Sequence, residues 1–330
     1  MSVILHRIAS INEIGEGFGE KLKDEDGCGK IMMMKVGILG AGEYGKALGF
    51  LLRKSGNATY FYDPIVFPDR ALKDVIEFAD ALVIAVPSSK VSELIKGFPE
   101  SGFSKPTLVA TKGIFSPKIY EKFEDFEIIS GPGFSDEILK NKRIKLTIAA
   151  SKALERRTLA EKLFKSDRVL FDKTEDVRGV MMLGALKNIY AIESGRRGLS
   201  LATDDFNEFI SAALMESQKV LLYNGGFMES IRLNAGVGDY VLTCGSEKSR
   251  NYQFGKRLRE FENEQGRSRR MLLGVWRASR DERLKKMIRP RGMTIEGLTA
   301  ARRIERGELF VPREIEILPD ILRRIKHDIK

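Results

Sequence analysis

The chain has 330 residues, 43% hydrophobic and 31% charged, a globular composition with room for two domains. It has no apolar run of the roughly 18 residues that a membrane-spanning helix needs. Its two cysteines, Cys28 and Cys244, make no disulfide framework and fit a reducing, cytoplasmic setting. His6 and His327 lie near the ends, which argues against a zinc site, against any metal requirement and against a central catalytic histidine. The net charge of +10 is uneven, with thirteen Lys/Arg against five Asp/Glu in residues 256–291. That run reads as a solvated helical face or as a field that draws in anions. It has too few interleaved aromatics for nucleic-acid stacking, so no nucleic-acid partner is expected.

Residues 1–33 are Gly- and Glu-rich and aperiodic, and acidic residues from Glu13 to Asp26 interrupt any apolar leader. They read as an extension: a poorly ordered arm, a start placed upstream of the true one, or a short strand at 3–8. From Lys35 onward strands and helices alternate. Strands are expected at 35–39, 58–62, 81–86, 107–111, 127–130, 145–151 and 168–171. Helices are expected at 46–54, 69–78, 91–97 and 152–164. The run ALVIAV at 81–86 lacks alternation, as in a parallel sheet covered on both faces. After Asp172 helical spacing takes over, at 177–193, 207–224, 249–264, 276–288, 295–306 and 313–328. The expected fold is α/β: a doubly wound parallel Rossmann sheet at 34–172, then an all-α substrate-binding domain at 173–330.

Gly40-Ala41-Gly42-Glu43-Tyr44-Gly45 stands directly after the first strand and before the first helix. In that context Gly40 makes a tight turn, Gly42 admits a pyrophosphate close to the backbone, and Gly45 lets helix and strand pack. The helix N-terminus then offers free N–H groups to phosphates. Asp63 closes the second strand, 18 residues after Gly45. It can accept both ribose hydroxyls and repel a 2′-phosphate, which favours NAD, with NADP as the alternative. The structural alternative is an Asx-turn before Pro64.

Three further strands end in Ala85-Val86-Pro87-Ser88-Ser89, Thr111-Lys112-Gly113 and Ser130-Gly131-Pro132-Gly133. Ligands of open α/β sheets bind at such ends, so Lys112 reads as a cation aimed into a cleft, or as a solvated lysine. Lys187 lies in GALKN, inside an apolar helix between MML and IYAI. A charge there is costly unless paired. Beside a second cation it loses basicity and becomes an acid–base group; snorkelling is the alternative. Asp239, Thr243, Ser249, Arg250 and Asn251 fall within thirteen positions. A carboxylate, two hydroxyls, a guanidinium and an amide suit a small anionic substrate.

GAGEYGKAL, AVPSS, TKGI, SGPGF, LGALKNIYAI, GVGDYVLTCGSEKSRN and IEGLTA occur in the order seen in NAD(P)-dependent sn-glycerol-3-phosphate dehydrogenases. The chain resembles that family from about Met34 to Ala301. The resemblance implies reversible hydride transfer between a nicotinamide and C2 of dihydroxyacetone phosphate or sn-glycerol 3-phosphate, supplying phospholipid synthesis. It implies a small phosphorylated substrate and no membrane insertion, with a homodimer left open. On it, Lys187 is the proton donor and acceptor, Lys112 touches substrate and cofactor, and Asp239 and Thr243 are active-site partners. Ser249, Arg250 and Asn251 clamp the substrate, Arg250 also lying near the cofactor, and Gly131 lies beside the substrate. Glu296 contacts the cofactor, as do Gly40, Gly42, Glu43, Tyr44, Gly45, Asp63 and Ser135.

The chain departs from the family pattern in places. Tyr44 stands where tryptophan is usual, and Gly133 and Ser135 replace a serine and an alanine. Only sixteen residues separate Asp63 from Asp80, which trims the adenine side of the expected pocket. The competing readings are a two-domain dehydrogenase of a hydroxyacid or nucleotide sugar, and a non-catalytic dinucleotide-binding protein.

Overall fold

The computed structural model describes residues 33–98, 104–113, 123, 126–150, 158–201, 203–265 and 295–326. They belong to one compact unit, Met33–Lys330. The expectations for 1–32, 152–157 and 276–288, for Cys28, His6 and His327, and for most of the basic run lie outside the described residues.

Seven strands form one sheet: β1 (Lys35–Leu39), β2 (Ala58–Tyr62), β3 (Ala81–Ile84), β4 (Thr107–Val109), β5 (Phe126–Ser130), β6 (Ile144–Ala150) and β7 (Val169–Thr174). Their order is β2-β1-β3-β4-β5-β6-β7. The first five pair in parallel, with Val36 opposite Ala81 and Leu82 opposite Thr107. The chain departs in opposite directions from β1 and β3, which places a ligand crevice at their carboxyl ends.

The two faces of the sheet differ in their cover. On one, α1 (Glu43–Lys54) presents Ala47, Leu48, Leu51 and Leu52 to Val36, Ile38 and Val83, with α4 (Ser135–Leu139) and α5 (Leu159–Leu163) beside it. On the other lie α2 (Leu72–Phe78), α3 (Val91–Ile95) and the first turns of α6 (Val177–Arg197), through Val75, Val91, Val180 and Met181. The rest of α6 is the axis of the helical half. Residues Gly179–Gly195 of this helix are buried all round. Around it pack α7 (Asp204–Tyr223), α8 (Asp239–Cys244), α9 (Arg250–Gln265), α10 (Glu296–Glu305) and α11 (Ile317–Lys326). Leu183, Leu186 and Ile189 have no exposed surface, and each contributes about 1.5–3 kcal/mol by burial. Asp176 starts α6 by accepting from the Gly179 N–H at 2.7 Å, and Gly198, at φ 71°, ends it. No described helix is long and apolar enough to cross a membrane.

One expectation is corrected: the sheet is not parallel throughout. β6 runs antiparallel to β5, with Ile129 opposite Ile148, and β7 follows β6 in parallel. The link from β5 to β6 carries only the five-residue α4, so the chain turns back without a full crossover helix. β7 also continues to Thr174, beyond the expected strand end at 171. α4 and α8, of five and six residues, are too short for helical periodicity to register.

Candidate functional site

The strand ends and the middle of α6 meet around Lys187. Gly184, one turn earlier on α6, makes this approach possible. A Cβ added there would lie 3.7 Å from both Lys112 Cβ and Ser130 Oγ, so α6 sits against the ends of β4 and β5. Lys187 then points at Asp239, the first residue of α8. Both side chains are 2% exposed and form an ion pair through Asp239 Oδ2. Lys112, just past β4, donates to the same oxygen at 3.1 Å and to the Gly131 carbonyl at 3.0 Å. Thr243, one turn along α8, accepts from Lys187 at 3.4 Å and donates to Asp239 Oδ1 at 3.2 Å. The five expected residues Lys112, Gly131, Lys187, Asp239 and Thr243 are thus one hydrogen-bonded cluster.

One carboxylate serves two ammonium groups, and that asymmetry sets the electrostatics. Burial pulls the Lys187 pKa down; Asp239 opposes this and Lys112 reinforces it, leaving Lys187 at about 7. Burial is the largest single influence on Lys112 and works against its charge, but Asp239, the Tyr44 phenol and the contact with Lys187 together outweigh it and the pKa is raised. Burial pushes Asp239 up, and the two lysines more than reverse this, so it stays ionised. The result is a lysine poised near neutrality beside a permanent cation, an arrangement suited to giving and taking a proton.

Tyr44, at the first turn of α1, closes one side of this cluster. Lys112 Nζ lies 5.7 Å from its ring centroid, and the hydroxyl is buried without a hydrogen-bond partner among the described residues. Burial raises its pKa. The turn before it has the form a dinucleotide needs. Gly40 has φ 110°, and a Cβ at Gly45 would fall 2.0 Å from the Gly40 carbonyl oxygen, so neither accepts a side chain. A Cβ at Gly42 would meet nothing within 4 Å, leaving open space over the backbone. No side chain caps the N-terminus of α1, so its first N–H groups remain for an anion. Glu43 is exposed there, so its backbone rather than its carboxylate suits a phosphate.

Asp63 is more occupied than a ribose ligand would be. Oδ2 accepts from Ala41 N at 2.8 Å, and Oδ1 from Ile65 N and Val66 N at 3.0 and 3.1 Å. The Asx-turn is present and the same carboxylate reaches back to the glycine turn; with about four acceptor sites on a carboxylate, room remains for one further hydrogen bond rather than two. β2 is the sheet edge, so the turn after Asp63 bounds the crevice on that side. Arg70 lies in that turn, stacked 4.6 and 4.2 Å from the Tyr60 and Phe67 ring centroids.

The start of α9 divides the expected substrate clamp. Ser249 is buried and accepts from Tyr252 N at 3.3 Å, so its hydroxyl caps the helix. Asn251 is a strut between helices. It donates to Asn188 Oδ1 at 2.8 Å on α6 and accepts from Gly297 N at 3.0 Å on α10. Arg250 alone is exposed, without an ion pair or hydrogen bond of its own among the described residues. Its charge lies near Glu296, whose carboxyl is raised by burial and accepts from Ser88 Oγ at 2.5 Å. Ser135, at the start of α4, makes no cap there. Asn188 and Ser88 join the site through Asn251 and Glu296, and their signal in the sequence is their place inside GALKN and AVPSS.

The family model for the NAD-dependent glycerol-3-phosphate dehydrogenase C-terminus matches residues 176–316. Glycerol-3-phosphate dehydrogenase [NAD(P)+] of Legionella pneumophila (strain Paris) is 30% identical over 254 residues, covering 67% of this chain and 77% of that protein. The Roseobacter denitrificans protein of the same name is 29% identical over 259 residues, covering 68% and 80%. The crystal structure of glycerol-3-phosphate dehydrogenase from Coxiella burnetii shares the fold at TM-score 0.72 and 24% identity, over 90% of this chain and 95% of that one. Matching motifs, matching architecture and this level of identity converge: the chain belongs to the NAD(P)-dependent glycerol-3-phosphate dehydrogenase family.

Proposed function

We propose that the chain reduces dihydroxyacetone phosphate to sn-glycerol 3-phosphate, reversibly, with Lys187 as the acid–base group. The observation that carries this is the Lys112–Asp239–Lys187 cluster at the ends of β4 and β5. The bound nicotinamide supplies the hydride chemistry. Lys187 gives a proton to the C2 oxygen as negative charge develops there. Lys112 stabilises that charge and holds down the Lys187 pKa. Asp239 fixes both ammonium groups, and Thr243 orients Lys187. The Gly40–Gly45 turn and the α1 N-terminus would hold the pyrophosphate, with Asp63 on the ribose and Tyr44, Ser135 and Glu296 along the rest of the cofactor. On this reading residues 34–172 carry the cofactor and 173–330 the substrate. Glycerol phosphate made this way feeds phospholipid synthesis. Loss of NADH absorbance on adding dihydroxyacetone phosphate tests the proposal; no turnover with NADH or NADPH refutes it.

Arg250 is assigned to the substrate phosphate. An exposed guanidinium at a helix N-terminus offers fork geometry and helix N–H groups together. A charge-assisted hydrogen bond is worth about 1.5–3 kcal/mol, so Arg250→Ala lowers kcat/KM for dihydroxyacetone phosphate by at least about tenfold. Unphosphorylated dihydroxyacetone, a poor substrate throughout, loses much less. Equal losses on both would place Arg250 on the cofactor or the fold.

NADH is expected to outperform NADPH in kcat/KM. The Asp63 carboxylate faces the glycine turn and repels a 2′-phosphate. Equal or better use of NADPH would shift the 2′-phosphate to Arg70, seven residues on, and Arg70→Ala would then remove that preference.

A further inference from the structure

Asp239 reaches the two lysines at the end of an irregular segment, and that segment is fastened to the sheet from behind. Residues Asn234–Gly238 form a wide turn that runs straight into α8, with Gly236 at φ −89°, ψ −109°, outside helical geometry. Backbone N–H groups at its end donate to the Asn234 and Gly236 carbonyls, which closes the turn on itself. Two sheet residues fasten its start to the sheet. Thr147 Oγ1 accepts from Ala235 N at 2.8 Å, and both groups are buried. Asp172 Oδ2 accepts from the Asn234 backbone N–H at 2.8 Å and from its side-chain amide at 2.5 Å.

These residues share a rung of the sheet. Thr147 on β6 stands opposite Asp172 on β7 and opposite Ser130 on β5. Partners in a rung project to one face. Ser130 in turn precedes Gly131, whose carbonyl holds Lys112. One polar rung therefore runs from the strand end that fixes Lys112 to the turn that delivers Asp239. It also holds two unsatisfied groups: the Ser130 hydroxyl and Asp172 Oδ1 are buried and have no hydrogen-bond partner among the described residues. Unsatisfied polar atoms in a core are costly. A segment that merely needed covering would be held at less cost by apolar packing.

We propose that Thr147 and Asp172 are positioning residues for Asp239, setting its distance to Lys187 and Lys112 and so the protonation of Lys187 in catalysis. The proposal rests on the assignment of Lys187 as the acid–base group. The charged groups facing Lys187 are Asp239 and Lys112; the Cys244 thiol lies beside it on α8 and the Tyr44 phenol beyond Lys112. None belongs to the rung; Thr147 and Asp172 reach Lys187 through Asp239, and Ser130, at the other end of the rung, leads to Lys112 by way of Gly131.

The test compares Thr147→Val, Thr147→Ser and Asn234→Ala with the unaltered protein. Each is assayed for dihydroxyacetone phosphate reduction between pH 5.5 and 9, and for thermal melting. Valine keeps the shape and leaves Ala235 N–H without an acceptor, so kcat falls about tenfold while KM moves little. The midpoint of the kcat/KM profile drops by about half a pH unit, because a displaced Asp239 supports the Lys187 ammonium less well. Serine restores both the rate and the midpoint. Asn234→Ala, on a half-buried side chain, moves the same two quantities in the same direction and serves if the valine variant does not fold. A lower melting temperature with unchanged kcat and midpoint in these variants overturns the proposal by making the rung purely structural. Absence of turnover in the unaltered protein would instead overturn the function itself, and the proposal with it.

Discussion

Lys187→Met lowers kcat for dihydroxyacetone phosphate reduction by about 10²–10⁴-fold, the usual contribution of a general acid–base group. Methionine is unbranched and fills most of the lysine's path along α6, so the change removes the ammonium with little cavity. Asp239 keeps Lys112 as its counter-ion at 3.1 Å, so the carboxylate is not stranded. The glycine turn is untouched, and NADH binding followed by fluorescence titration stays within about twofold. A variant that keeps its kcat removes Lys187 from the chemistry. The unaltered protein carries a second signature of the same assignment. Lys187 is lowered to about 7 by burial, so it is protonated below that pH and neutral above it. Reduction needs the proton, so its kcat/KM is flat below about 7 and falls as pH rises. Oxidation of glycerol 3-phosphate needs the free amine, so its profile rises through the same region. A dianionic substrate stabilises the ammonium, so the kcat midpoint lies above that of kcat/KM. Parallel profiles in the two directions would contradict this.

The parts of this molecule that were legible in its sequence are those where local chemistry has a single use. A glycine turn between an apolar strand and a helix serves few other ends, and Gly40 and Gly45 sit where a side chain cannot. A lysine inside an apolar helix demands a partner, and Lys187 has one in Asp239. The antiparallel turn-back at β6 was not legible, because strand direction depends on how the chain crosses the sheet and both directions bury the same residues. α8 was missed because six residues cannot show a helical period, though they deliver the central carboxylate.

The substrate clamp shows a different limit. Ser249, Arg250 and Asn251 are adjacent in sequence, and adjacency suggested shared work. A helix start separates consecutive residues by about 100°, so neighbours face different surroundings. Ser249 turned to cap α9, Asn251 turned inward to bridge α6 and α10, and Arg250 turned out. Asp63 likewise does two things at once, binding the turn after it while facing the glycine loop. Residue type and spacing locate such groups but do not say which of their hydrogen bonds the fold consumes.

Asp239→Asn removes the sole charge that both lysines share in the cluster, and its effect is expected to rival that of replacing Lys187. The amide keeps the shape but not the charge, so Lys187 and Lys112 face each other without a counter-ion. Breaking a buried pair costs about 3–5 kcal/mol when the orphaned charge persists. Lys187 has a less costly course: already at about 7, it deprotonates, and its pKa falls further because the carboxylate that raised it is gone. The neutral amine relieves the strain on the fold but cannot donate. Reduction at pH 7.5 therefore drops by about 100-fold, and the reductive pH profile moves to lower pH by about two units. Thermal stability falls less than the full cost of a broken pair, and the loss grows as pH drops below 7 and Lys187 is forced to protonate. An Asp239→Asn protein with an unshifted profile would show that Lys187 draws its protonation state from elsewhere. A large stability loss at pH 8 with a smaller one at pH 6 would reverse the sign of the argument, and would mean that the two lysines do not share Asp239 as their counter-ion.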